Sequence, residues 1–138
     1  MFEHFGVNAS GMEAQKLRLN TISSNLANVN TTRSPEGGPY RRRDVVFEAA
    51  PSFDSVMNNV SAAIPVRVQG VIEDQRPFNT VYEPGHPDAD KNGYLQLPNV
   101  NVVEEMVNMI AAMRSYEANV TAFRTSRDMM AKALEIGR

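Results

Sequence analysis

Cysteine is absent from the 138-residue chain, which excludes disulfides, thiolate metal sites and cysteine nucleophiles. A chain without thiols can also cross an oxidising compartment unfolded without cross-linking itself. Tryptophan is absent, and the only histidines are His4 and His86. Neither sign of charge dominates. The formal net charge is −2, which does not suit a surface that coats nucleic acid or an anionic membrane. No run approaches the roughly 20 apolar residues that a bilayer span requires. The segment Met1 to Asn8 has no basic start and no continuous apolar stretch, so it does not read as a cleavable secretory signal. No Ser/His/Asp constellation and no glycine-rich phosphate motif occurs at a useful spacing.

What is present is helical periodicity at both ends. The expected fold class is α+β. Residues 1–32 read as an N-terminal helix, 33–98 as a β-rich middle domain with loops, and 99–138 as a C-terminal helix. In the first part, Phe5, Asn8, Met12, Gln15, Leu19, Ile22, Leu26 and Val29 step by three and four, a narrow seam of the coiled-coil kind. The spacing predicts a helix over about 4–29. Ser10 and Glu13 have capping-box spacing, which allows a later start at Ser10. The short polar side chains of Asn28, Asn30, Thr31 and Thr32 compete for backbone hydrogen bonds and end the helix.

The last part predicts a helix over about 102–136. Asn101 is a good N-cap, Glu104 and Glu105 lie in the positive first turn, and Gly137 is a natural stop. Met106, Met109, Met113, Tyr116, Val120, Phe123, Arg127, Met130 and Leu134 form its stripe, which only Arg127 interrupts. Val103, Val107 and Ile110 widen the stripe at its front end. A charge at a seam position usually specifies register or partner, so Arg127 is expected to face an acidic or carbonyl group. Arg114 and Glu117 have the spacing of a surface pair. Leaving about eight large apolar side chains wet would forgo on the order of 10–20 kcal/mol. The two ends are therefore expected to pack as a hairpin, with the longer helix overhanging its partner.

The middle part reads as strands at 42–48, 65–74 and 94–97, with a bulge at Gly70 and a turn at Lys91-Asn92-Gly93. Residues 49–63 show no clear period. Arg41, Arg42 and Arg43 are too few for a lipid or nucleic-acid patch, and Asp44 and Glu48 offset them. Pairing with acidic groups on an adjacent chain is the expected role. The alternative function, a metal-dependent enzyme, rests on His86, Asp88 and Asp90, three potential ligands within five residues. Pro84 and Pro87 stiffen that loop, and a rigid contact loop whose carboxylates bond nearby amides is the preferred reading.

The run from Ser10 to Thr31, centred on Ser24-Asn25-Leu26-Ala27-Asn28-Val29-Asn30-Thr31, resembles the N-terminal signature of flagellar rod and hook proteins. Gly37–Arg43, Pro77–Asp90 and several stretches from Gly93 to Arg138 resemble the proximal-rod members of that axial protein family. The resemblance implies a structural, non-enzymatic subunit with no cofactor, located in the periplasmic rod of the basal body. It implies export through the flagellar type III apparatus without a cleaved signal, and polymerisation through the terminal helices into a torque-transmitting tube around the export channel. Partners would be copies of the chain, other rod proteins, and adjoining ring and export-gate components, with no nucleic acid or small-molecule substrate. The assembly surface would use Met12, Leu19, Ile22, Asn25, Leu26, Val29 and the C-terminal stripe from Met106 to Leu134. Arg41, Arg42, Arg43, Pro84, His86, Asp88 and Asp90 would form a middle-domain contact loop.

Overall fold

The computed structural model describes residues 2–50 and 64–137. The element order is α1 (Phe2–Ala27), β1 (Arg43–Ala49), β2 (Val66–Glu73), β3 (Asn79–Tyr82), β4 (Tyr94–Leu97) and α2 (Val102–Ile136). This is the expected α+β arrangement of long terminal helices flanking a small antiparallel β region. Most of the stretch without a period, residues 51–63, lies outside the described residues.

α1 begins well before Ser10, so Ser10 is not its cap. The Ser10 hydroxyl instead donates to the Val7 carbonyl at 2.8 Å and accepts from the Val66 amide at 3.1 Å. It thereby ties the helix to the first residue of β2. The helix ends at Ala27, two residues short of the expected 29 and at the start of the polar stretch expected to stop it. Asn28 donates both its backbone N–H and its side-chain amide to Ser24 O, and Thr31 Oγ donates to Asn28 Oδ1. These local bonds take over from the helical ladder.

α2 starts at the expected cap. Asn101 Oδ1 accepts from the amides of Val103 and Glu104, satisfying two N–H groups that no helical carbonyl can reach. The helix runs 35 residues against 26 for α1. The helices are antiparallel: Phe5 meets Phe123 edge-on at 5.0 Å, and Asn25 bonds Glu105. The longer helix therefore overhangs at its C-terminal end, where Met129, Leu134 and Ile136 are exposed.

β1 and β2 form an antiparallel ribbon from Arg43↔Glu73 to Ala49↔Val66. Its register slips between Val46↔Gly70 and Phe47↔Val68, which leaves Gln69 as the extra residue beside Gly70. β3 and β4 form a second antiparallel pair, Asn79↔Leu97 to Tyr82↔Tyr94. The sequence reading contains no strand at 79–82, where Thr80, Val81 and Tyr82 suit the pleat but span too few residues to show a period. The turn before β4 needs its glycine. Gly93 has φ +81°, and a Cβ there would sit 2.8 Å from the Tyr82 ring.

α1 is the central element. It packs against α2 and against β1 and β2, whereas α2 packs on no other helix or strand among the described residues. The apolar side chains that are well buried are few and mostly small: Ala14, Ile22, Val45, Leu95, Val100 and Ala112. Among the described residues the largest fully buried side chains are Glu105, Asn25 and Pro98, so the best-protected point there is polar.

Candidate assembly interface

That polar point is a clamp where four chain segments converge. Glu105, in the first turn of α2, is 0% exposed. Its carboxylate accepts from Arg42 Nε at 2.7 Å and from Asn25 Nδ2 at 2.9 Å. The Asn25 amide spends all its capacity. Its Nδ2 also donates to Arg43 O, and its Oδ1 accepts from the Arg43 amide and the Tyr40 hydroxyl. Asn99 Oδ1 accepts from the Arg42 amide, while Asn99 Nδ2 donates to the carbonyls of Asp74 and Arg76. The clamp thus joins α1, the entry to β1, the exit from β2 and the start of α2.

The electrostatics follow from this geometry. Burial alone would lower the pKa of Arg42, but the hydrogen bond and charge of Glu105 outweigh it, and the net shift is upward. Burial raises the Tyr40 pKa and keeps its hydroxyl a donor to Asn25. Asp74 accepts from the Arg76 amide and guanidinium, which hold its carboxyl below the usual range. Asp88 is likewise held low, first by the Thr32 hydroxyl and then by Arg33.

The two faces of α2 differ in kind. The face on α1 carries Glu105, Met109, Ala112, Asn119, Phe123, Ser126 and Met130, all buried or half-buried. Its small members let the helices approach closely. A Cβ on Gly11 would meet Asn119 Nδ2 at 2.8 Å. The opposite face carries Val103, Met106, Val107, Ile110 and Met113 at spacings of three and four, and these are 48–70% exposed.

The expected site residues divide accordingly. Met109, Phe123 and Met130 lie in the intramolecular seam, and Val120 is half-buried. Met106, Met113, Tyr116 and Leu134 are exposed. On α1, Ile22 and Asn25 are buried within the chain, and Met12, Leu19, Leu26 and Val29 are half-buried. Arg127 does face a carboxylate, but it is that of its own neighbour Asp128, and both side chains are exposed. It does not lie in the seam, because the seam runs one residue earlier, through Ser126. No ion pair joins Arg114 to Glu117 among the described residues.

The arginine triplet finds its partners inside the chain. Arg42 is buried on Glu105. Arg43 pairs with Glu73, and Arg41 lies over the Phe78 ring and donates to Asp74 O. Arg42 thus has its counterion within the chain. In the 83–93 loop, Pro84 and Asp90 are exposed. His86 Nδ1 accepts from the Asp88 amide, Asp88 accepts from Thr32 and Arg33, and Asp90 Oδ1 accepts from the Lys91 amide. His86, Asp88 and Asp90 thus hold the loop against Thr32 and Arg33 and brace its own turns. Among the described residues no group of three or more His, Asp or Glu is placed to hold a metal ion.

Sequence reasoning missed the clamp's other members, Glu105, Asn99 and Tyr40. The available signal was Glu105 in phase with Met109, Ala112 and Tyr116. It read as a first-turn acid serving the helix dipole.

Comparison with known proteins matches both helical ends. Residues 5–33 fit the family model for flagella basal body rod proteins, and residues 91–136 fit the C-terminal model of flagellar basal body rod FlgEFG proteins. Along its length the chain is similar to proteins named flagellar basal-body rod protein FlgC. The Borreliella burgdorferi protein is 43% identical over 99% of this chain and 97% of its own length. The Bacillus subtilis protein is 44% identical over 99% and 98%, and the Salmonella typhimurium protein 46% over 97% and 96%. With matches of this identity and extent, the chain belongs to the FlgC family of flagellar basal-body rod proteins.

Proposed function

We propose that the chain is a structural subunit of the proximal rod and assembles through the open face of α2. The observation that carries this reading is the stripe Val103, Met106, Val107, Ile110 and Met113, which stays exposed while the opposite face of the helix is packed. Covering it would contribute on the order of 5 kcal/mol per subunit. The overhanging residues Met129, Leu134 and Ile136 extend the same opportunity to a further neighbour. Neighbours would be copies of this chain and other rod proteins, with the ring and export-gate components at the rod's ends. The exposed tip of the 83–93 loop and the Tyr82–Tyr94 pair would meet neighbours farther out.

The role is mechanical: the chain would transmit torque as part of a tube around the export channel. A cysteine-free composition suits delivery through that channel in an unfolded state, without thiol chemistry on the way.

The test uses the same absence of cysteine. Val107→Cys and Ile110→Cys variants carry one thiol each, so peptide-resolved maleimide labelling reports only the exposure of that face. Fast labelling of the free chain and much slower labelling in purified basal bodies are expected. A companion Val107→Asp/Ile110→Asp variant should keep its circular dichroism and lose incorporation. Labelling as fast in assembled rods as in the free chain, or normal incorporation of the double aspartate, would overturn the reading.

A further inference from the structure

We propose that Met106 and Met113 make the open face of α2 an oxidation site, where a peroxide converts an apolar docking surface into a polar one. The inference rests on the assembly reading above for its consequence, but not for its chemistry. Met106 and Met113 lie seven residues apart on one side of α2 and are 54% and 48% exposed. Val103, Val107 and Ile110 surround them. Met12, Met109 and Met130 are half-buried by contrast, while Met129, on the overhang and away from this face, is 66% exposed and should oxidise as readily. Methionine thus offers an internal comparison within one chain, with no cysteine to consume oxidant first.

The step is a two-electron transfer. The thioether sulfur attacks one oxygen of hydrogen peroxide, the O–O bond breaks, an S–O bond forms and water leaves. The sulfur is oxidised and the peroxide reduced. The product sulfoxide is polar and accepts strong hydrogen bonds. Buried against an apolar neighbour it has no donor, and an unpaired polar group in such a place opposes association. Because thioether sulfoxides are reduced enzymatically, the change is reversible. Once a neighbour covers the face, peroxide no longer reaches the sulfurs, so the vulnerable species is the free subunit.

The experiment begins with the full-length free chain under limiting hydrogen peroxide, each methionine being followed by peptide mass spectrometry. Met106 and Met113 should oxidise several-fold faster than Met109 and Met130. Equal rates would overturn the proposal. The treated chain should then lose self-association in sedimentation and regain it after sulfoxide reductases act. A Met106→Leu/Met113→Leu variant, close in volume, should associate before and after treatment. Full association of the oxidised wild type, or equal loss in the leucine variant, would also overturn it. Peroxide applied to purified basal bodies separates the two readings. If Met106 and Met113 react there as fast as in the free chain, the assembly surface is wrong and the blocking effect falls with it, while the free-chain selectivity stands.

Discussion

Arg42 Nε donates to Glu105 Oε1 at 2.7 Å, and the two side chains are 7% and 0% exposed. They come from positions 63 residues apart, so their meeting requires the segment entering β1 and the first turn of α2 to be held together, each against α1. Removing one partner leaves a buried charge without its counterion, which costs about 3–5 kcal/mol. Glu105→Ala and Arg42→Ala should each lower the urea midpoint accordingly. An Arg42→Met/Glu105→Leu double replacement should cost much less than the two singles together, because no unpaired charge remains. Additive losses in this cycle would show that the two side chains act separately.

Asn25 is a second fixed point. Its amide touches Glu105, Tyr40 and both backbone groups of Arg43. Asn25→Ala strands several buried partners and should cost on the order of 3 kcal/mol. Asn25→Asp keeps the shape but replaces a donor by a carboxylate beside Glu105, and it should be at least as damaging. Equilibrium unfolding of the three proteins orders them. An Asp variant as stable as wild type would mean the amide donor is unimportant.

Three glycines should respond differently to alanine. Gly93 has φ +81°, and its Cβ would strike the Tyr82 ring and Pro84, so Gly93→Ala should cost about 2 kcal/mol. Gly6 has open space around it within α1, and Gly6→Ala should add up to about 1 kcal/mol of helix stability. Gly11→Ala should not show that gain, because the new methyl must displace the Asn119 amide. Thermal unfolding of the three variants reads the contrast directly.

Acid should loosen the middle region. Asp74 and Asp88 are held below the ordinary carboxylate value of 3.8. A depressed native pKa contributes stability that is present above the ordinary value and is lost as pH falls through the native one. Asp74→Asn should therefore be less stable than wild type at pH 7, and the gap should close below about pH 4. At the other extreme, the raised Tyr40 pKa contributes stability below its ordinary value of 10.0 that is lost as pH rises toward the native value. Urea midpoints across pH test both limbs. A gap that stays constant down to pH 3 would remove the carboxylate account.

The sequence by itself determined the two helices, the cap at Asn101, the strands β1 and β2 though not their pairing, and the family. Each is encoded by neighbours in the chain: side chains at three- and four-residue steps, a capping amide, alternating β-branched residues, or a contiguous motif. The tertiary structure decided which face of α2 turns inward. Periodicity places large apolar residues at Met106, Met113 and Val120 in the stripe, yet the seam on α1 runs through Glu105, Ala112, Asn119 and Ser126. α1 comes so close at Gly11 that a Cβ there would meet the Asn119 amide. The larger apolar residues at Met106 and Met113 are rotated outward, where a single chain cannot cover them. The Arg42–Glu105–Asn25 clamp was beyond sequence reasoning for the same reason. Its members are scattered along the chain, and only the fold brings their charges and amides within bonding distance.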